Sequence, residues 1–200
     1  MKSKVLENKK KKKENLLQAA SDLLSDHKIT EISVSDIVSK AGLAKGTFYL
    51  YFKDKYDIRD SLIQQESAKL FENALTALNQ NDIRNFEDAI IFVINHVLID
   101  LQKNPNILRF IQKNLSIGVF RSQLKNAINE DTYSIIEDFS KRAEEAGYHY
   151  DKPDIILYMV IELAGSTCYD SILNNDPLPI EEYKPYLFNA IRAILHFQQD

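Results

Sequence analysis

The residues with the most chemistry to offer lie in one run of eleven, KGTFYLYFKDK, from Lys45 to Lys55. Lys45 and Lys55 bring ammonium groups, and Thr47, Tyr49 and Tyr51 bring hydroxyls. All of these donate hydrogen bonds, and donors of this kind grip phosphate oxygens. Gly46 would let a backbone approach closely, and the Thr47 methyl suits the methyl of thymine. Phe48 and Phe52 are four residues apart, so in a helix they share a face and can anchor it to a core. The bland alternative puts all four rings in the core with only hydroxyls at the surface. Propensity alone would make the run a strand, since aromatics favour strands, yet both flanks have helical periodicity.

These groups need a scaffold, and the flanking sequence supplies one. Leu16, Ala20, Leu23 and Leu24 recur on one helical face, predicting a helix over about 9–26. Ser33 followed by Asp36 is an acidic variant of the capping box, opening a short helix whose Val34, Ile37, Val38 and Ala41 are apolar. Gly42 ends it. A short turn then leads into Lys45–Phe52 as a second short helix. Two short helices joined by such a turn form a helix-turn-helix, whose second helix enters the DNA major groove while the first crosses the backbone. Lys55 falls at the start of the next helix, where free backbone N–H groups favour phosphate.

Charge agrees with an anionic partner. Residues 1–60 hold 13 Lys+Arg against 9 Asp+Glu, a balance of +4, while the other 140 hold 12 against 20, a balance of −8. A basic head on an acidic body predicts an anionic partner for the head. Five consecutive lysines, Lys9 to Lys13, add to it, either as a DNA-contacting arm or as a solvated tail.

Beyond the head the chain is all-α by periodicity. Helices are expected at about 55–80, 86–103, 106–115, 120–146, 153–174 and 181–198, with Asp54 capping the first of these. The domain division expected is 1–54 for DNA binding and 55–200 for the helical body. The single cysteine, Cys168, excludes an internal disulfide and a CxxC metal pair, and predicts a reducing, cytoplasmic setting. No apolar stretch follows the lysines in the manner of a signal peptide. The most apolar window, Ala89 to Leu101, is too short and polar to cross a bilayer. No membrane association is expected.

The stretch Leu16 to Ile58, LLQAASDLLSDHKITEISVSDIVSKAGLAKGTFYLYFKDKYDI, resembles the DNA-binding head of the TetR/AcrR family of transcriptional regulators. About a quarter of the chain carries the resemblance. The rest is similar only in length and helicity. The resemblance implies an N-terminal three-helix helix-turn-helix domain and a C-terminal helical ligand-binding and dimerisation domain. It implies Ser33 at the backbone or capping its helix, Lys45, Gly46 and Thr47 at the groove, and Tyr49, Tyr51 and Lys55 on phosphates. Three residues depart from the pattern. The loop DHKITEIS lacks the usual Gly, Ala44 stands where Ser or Thr often caps the recognition helix, and Tyr51 stands where His is common.

A ligand-responsive regulator follows from the resemblance: a repressor that binds a near-palindromic operator in double-stranded DNA as a homodimer through its last two helices, released by an unidentified small molecule. The small residues Ala164 to Cys168 suit close helix packing at such a dimer face. In the body, Glu162 is a carboxylate in an apolar helix, which is costly unless paired. It and His96 either orient a ligand or make internal polar contacts. Phe92, Phe110, Phe120, Tyr133, Tyr158 and Tyr169 either line a pocket or are plain core.

No catalytic pattern is present: no GxGxxG, Walker loop, GxSxG or HExxH, and His27, His96, His149 and His196 lack metal-ligand spacing. No enzyme activity, cofactor or metal is expected. The alternatives are a nucleoid protein using the same head without sequence preference, and a helical enzyme, which would leave the basic head unexplained.

Overall fold

The computed structural model describes residues 2–111, 114–116, 119–120 and 135–197, with the side chains of 2–6 left aside. It is all-α, with no strand among the described residues. The helices are α1 (Lys2–Asp26), α2 (Val34–Ala41), α3 (Lys45–Tyr49), α4 (Lys55–Asn79), α5 (Phe86–Lys103), α6 (Pro105–Ile111), α7 (Ile135–Glu145), α8 (Pro153–Asn174) and α9 (Ile180–Leu195). The chain divides into two compact units, residues 1–63 and 64–200, and the division falls inside α4. The helix expected over 120–146 lies partly outside the described residues.

In the first unit, Leu16, Leu17, Ala19 and Ala20 of α1 are buried with Ile37 and Val38 of α2, Phe48 of α3, Phe52, and Ile58 and Leu62 of α4. These lie on the faces that the apolar spacing predicts, where Leu23, Leu24, Val34 and Ala41 are half-buried. Ser33 caps α2 in full: its hydroxyl accepts from the Asp36 N–H and donates to the Asp36 carboxylate, which also accepts from the Ser33 N–H at 2.8 Å. Gly42 ends α2 in the left-handed region (φ 65°), so that Leu43 N–H reaches Val38 O. Asp54 accepts from the N–H groups of Tyr56 and Asp57, opening α4 as its sequence position predicts.

In the first unit two helices differ in length from expectation. α1 begins at Lys2 rather than near residue 9, so the lysine run is helical. α3 closes at Tyr49, because the bonds then tighten: Leu50 N–H reaches Thr47 O, and Tyr51 and Phe52 N–H both reach Phe48 O. The backbone keeps turning, and Phe48 and Phe52 still meet, with ring centroids 5.6 Å apart.

In the second unit, α8 is apolar enough in length and composition to cross a membrane, yet it serves as a core helix. It packs on α5, α7 and α9, and Val160, Ile161 and Ala164 are fully buried. Gly165 lets α8 pass close to Leu115, whose Cβ would stand 3.0 Å from a Cβ added there. At the other end of the bundle Glu87 of α5 is a hub. It accepts from the Tyr148 hydroxyl at 2.6 Å and pairs with Arg192 and His196 of the α9 end at 3.4 and 2.8 Å. The Glu87 carboxylate pushes the Tyr148 hydroxyl up to about 12.

Candidate nucleic-acid interface

The turn between α1 and α2 sets where α3 can stand, and it is built without glycine. Glu31 reaches back to the Lys28 N–H at 3.0 Å, and Glu31 N–H meets Lys28 O at 2.9 Å. The Lys55 ammonium then closes the turn from α4, donating to Thr30 O at 3.2 Å and Ile32 O at 2.9 Å. Two of its three hydrogens are thus engaged inside the unit. Sequence position placed Lys55 among the phosphate contacts. The geometry shows it holding the α1–α2 turn, a pairing 23 residues apart that no local spacing reveals.

With the scaffold fixed, the aromatic run separates into two sets. Phe48 and Phe52 are 0% and 2% exposed, whereas Tyr49 is 55% exposed, its ring resting edge-on against Phe48 at 5.5 Å. Tyr51 is half-buried beside Phe52. Thr47 is half-buried, and Lys45 and Gly46 are exposed. The Lys45 ammonium lies 3.5 Å from the Ser35 hydroxyl, linking α3 to α2. Around Gly46 an added Cβ would meet nothing within 4 Å. No neighbour in the unit demands a glycine there. Ala44 precedes α3 without a side-chain cap, so the first N–H groups of α3 lack that partner.

Ser33 is exposed but both sides of its hydroxyl serve the cap. Those bonds hold the Asp36 carboxyl below its ordinary range. Two neighbours of the interface were not singled out from sequence. Leu50 is 79% exposed directly after Tyr49, and Tyr56 is 44% exposed beside the Lys55 and Arg59 cations. The anchors at 48 and 52 imply that positions 49 and 50 turn outward, so the signal for Leu50 was present in the spacing. Together Lys45, Gly46 and Tyr49 of α3 and Leu50 just after it form an exposed surface of donors and apolar edges with no acidic residue on it.

In the second unit the residues suggested for a ligand site fall into separate pairs. Phe92 and His96 stand 6.0 Å apart, with His96 3.8 Å from Asp100 along the same helix. Phe120 meets Tyr158 edge-on at 5.3 Å. Glu162 accepts from the hydroxyls of Ser116 and Ser166, so its carboxylate is partnered within the unit. Ser166 lies one turn along α8 and was legible in the sequence, whereas Ser116 comes from a distant segment. Phe110 and Tyr169 are half-buried. Tyr133 lies outside the described residues.

Comparison with known proteins bears on the first unit most directly. Residues 16–62 match the family model of bacterial regulatory proteins, tetR family. The chain is 41% identical over 90 residues to the uncharacterized HTH-type transcriptional regulator YvdT of Bacillus subtilis, covering 44% of this chain and 42% of that protein. It is 25% identical over 149 residues to an uncharacterized HTH-type transcriptional regulator of Haemophilus influenzae, 74% of this chain and 75% of that one. Its fold is shared with the transcriptional regulator FadR of Bacillus subtilis, solved in complex with stearoyl-CoA, at TM-score 0.55 and 18% identity over 88% of this chain and 96% of that chain. The matched segment contains α2, α3 and every residue of the exposed donor surface. Residues 16–62 therefore carry the DNA-binding segment of the tetR family of bacterial regulatory proteins, and over about three quarters of its length the chain is similar to an HTH-type transcriptional regulator.

Proposed function

We propose that the chain is a repressor that binds a near-palindromic operator as a homodimer and lets go when a small molecule enters its helical body. The exposed Tyr49 beside the buried Phe48 and Phe52 carries the DNA-binding part of this reading. A tyrosine anchored by its ring and open at its hydroxyl donates to a phosphate, while Lys45, Gly46 and Thr47 approach the groove. Tyr51 adds a second phosphate contact from its half-buried position. On this reading residues 1–54 bind DNA and 55–200 sense the ligand and dimerise, in the cytoplasm and without catalysis.

The surface of α9 supports the dimer. Tyr186, Ala190, Ala193 and Phe197 are exposed at helical spacing, with Tyr186 at 68% and Phe197 at 58%. A second copy would cover this stripe, and a two-fold dimer reads two half-sites. The ligand part is supported by the likeness in fold to FadR, which was solved in complex with stearoyl-CoA. The aromatic pairs Phe92–His96 and Phe120–Tyr158 and the carboxylate of Glu162 are the groups offered for such a site.

Selection of bound duplexes from a random DNA library tests this. Enrichment of an inverted repeat, protected over both halves in a footprint, is the expected result. Binding with no enriched sequence would replace it with the reading of a nucleoid protein.

A further inference from the structure

Lys9 to Lys13 are all exposed, and they belong to the same continuous helix whose Leu16, Leu17, Ala19 and Ala20 enter the core of the first unit. At about 1.5 Å per residue the lysines stand roughly 5–10 Å along the axis from Leu16, within about one Debye length at 0.1 M salt. Successive residues turn by about 100°, so five in a row circle the helix. Two or three of the five can face any one surface at a time.

This geometry decides what the lysines can reach. A helix with side chains is about 10–12 Å across, and the B-DNA minor groove is about 6 Å wide. An extended arm could enter that groove, but a helix cannot. The rim of the duplex, with its phosphates, remains open to it. The helix itself is charged against its own interest: α1 has no acidic residue in its first turn, and Lys9 and Lys13 are like charges one turn apart. Glu7 and Glu14, the latter 4.0 Å from Lys10, flank the run and offset five lysines only in part. Phosphates alongside would relieve this repulsion.

We propose that the lysine-bearing turns of α1 form a sequence-blind phosphate clamp, lying along the DNA backbone beside the helix-turn-helix and adding affinity without adding sequence preference. The inference rests on the reading of the first unit as a DNA-binding head. Each phosphate neutralised contributes about 0.9 to the slope of log K against log salt.

The test replaces all five lysines with glutamine (Lys9→Gln through Lys13→Gln), which keeps helix propensity nearly constant. Binding to a fluorescein-labelled random-sequence duplex and to a duplex enriched by selection is followed by anisotropy across a KCl series. The slope is expected to become shallower by about 2, with affinity on the order of a hundredfold weaker at 0.1 M and converging near 1 M. The loss should be the same on both duplexes. Equal slopes for the variant and the unsubstituted chain would overturn the clamp while leaving the head intact. A loss confined to the enriched duplex would overturn its sequence-blind character. Failure of the unsubstituted chain to bind either duplex at low salt would overturn the head and the clamp together.

Discussion

The Lys55 ammonium lies 2.9 Å from the carbonyl oxygen of Ile32, tying the first turn of α4 to the loop that launches α2. A second bond to Thr30 O fixes the same loop, which has no glycine to ease its turn. Lys55→Gln should therefore destabilise the first unit by about 1 kcal/mol, the scale of a charged hydrogen bond partly open to solvent. Lys45→Gln, which gives up only a long contact to Ser35, should leave it nearly unchanged. Urea unfolding followed by circular dichroism compares the two, and equal midpoints would remove Lys55 from the scaffold.

Gly46 makes a prediction with two opposite signs. Its surroundings are empty, so Gly46→Ala should stabilise the free protein by about 0.5–1 kcal/mol through helix propensity. The same methyl would project toward the DNA and should weaken binding at least severalfold. A variant that is both more stable and a better binder would show that the backbone at 46 does not approach a partner.

Ser33 and Asp36 give the head an acid dependence. Bonds from Ser33 lower the Asp36 carboxyl in the folded state, so folding favours the ionised form. That contribution is complete above the unfolded value, near 3.9, and is lost as pH falls through the lower folded value. Ser33→Ala should cost about 1 kcal/mol at neutral pH as the cap is lost, and should flatten the fall in stability below about pH 4. Thermal unfolding between pH 2.5 and 7 would show both effects, and a parallel profile for the variant would deny the linkage.

Packing in the second unit is close where α8 passes Leu115. Gly165→Ala puts a Cβ 3.0 Å from the Leu115 Cβ, so Leu115 must give way by a few tenths of an ångström. A loss of about 1–3 kcal/mol is expected from such overpacking. Unchanged thermal stability would mean that the contact yields freely.

The head was legible from the sequence because its signals are local. The Ser33–Asp36 box, Gly42, the Phe48–Phe52 spacing and the Asp54 cap all lie within four residues of what they act on, and each took its expected place. The second role of Lys55 was not legible, since its partners are more than twenty residues upstream. The same holds in the body, where Ser116 meets Glu162 across 46 residues. Side-chain type told that Glu162 needs a partner, but only the fold says which one. The start of α1 was missed for another reason: a run of lysines has no apolar period to mark a helix, and the chain continues one begun at Lys2.

The central claim is that the exposed face of α3 binds DNA through Tyr49. Anisotropy titration of Tyr49→Ala against a duplex enriched by selection tests it most directly, with circular dichroism confirming an unchanged unfolding midpoint. The ring is more than half exposed, so the fold should survive its removal. A drop in affinity of at least about tenfold, roughly 1.4 kcal/mol, is the result expected. Equal affinity for the variant and the unsubstituted chain would contradict the claim.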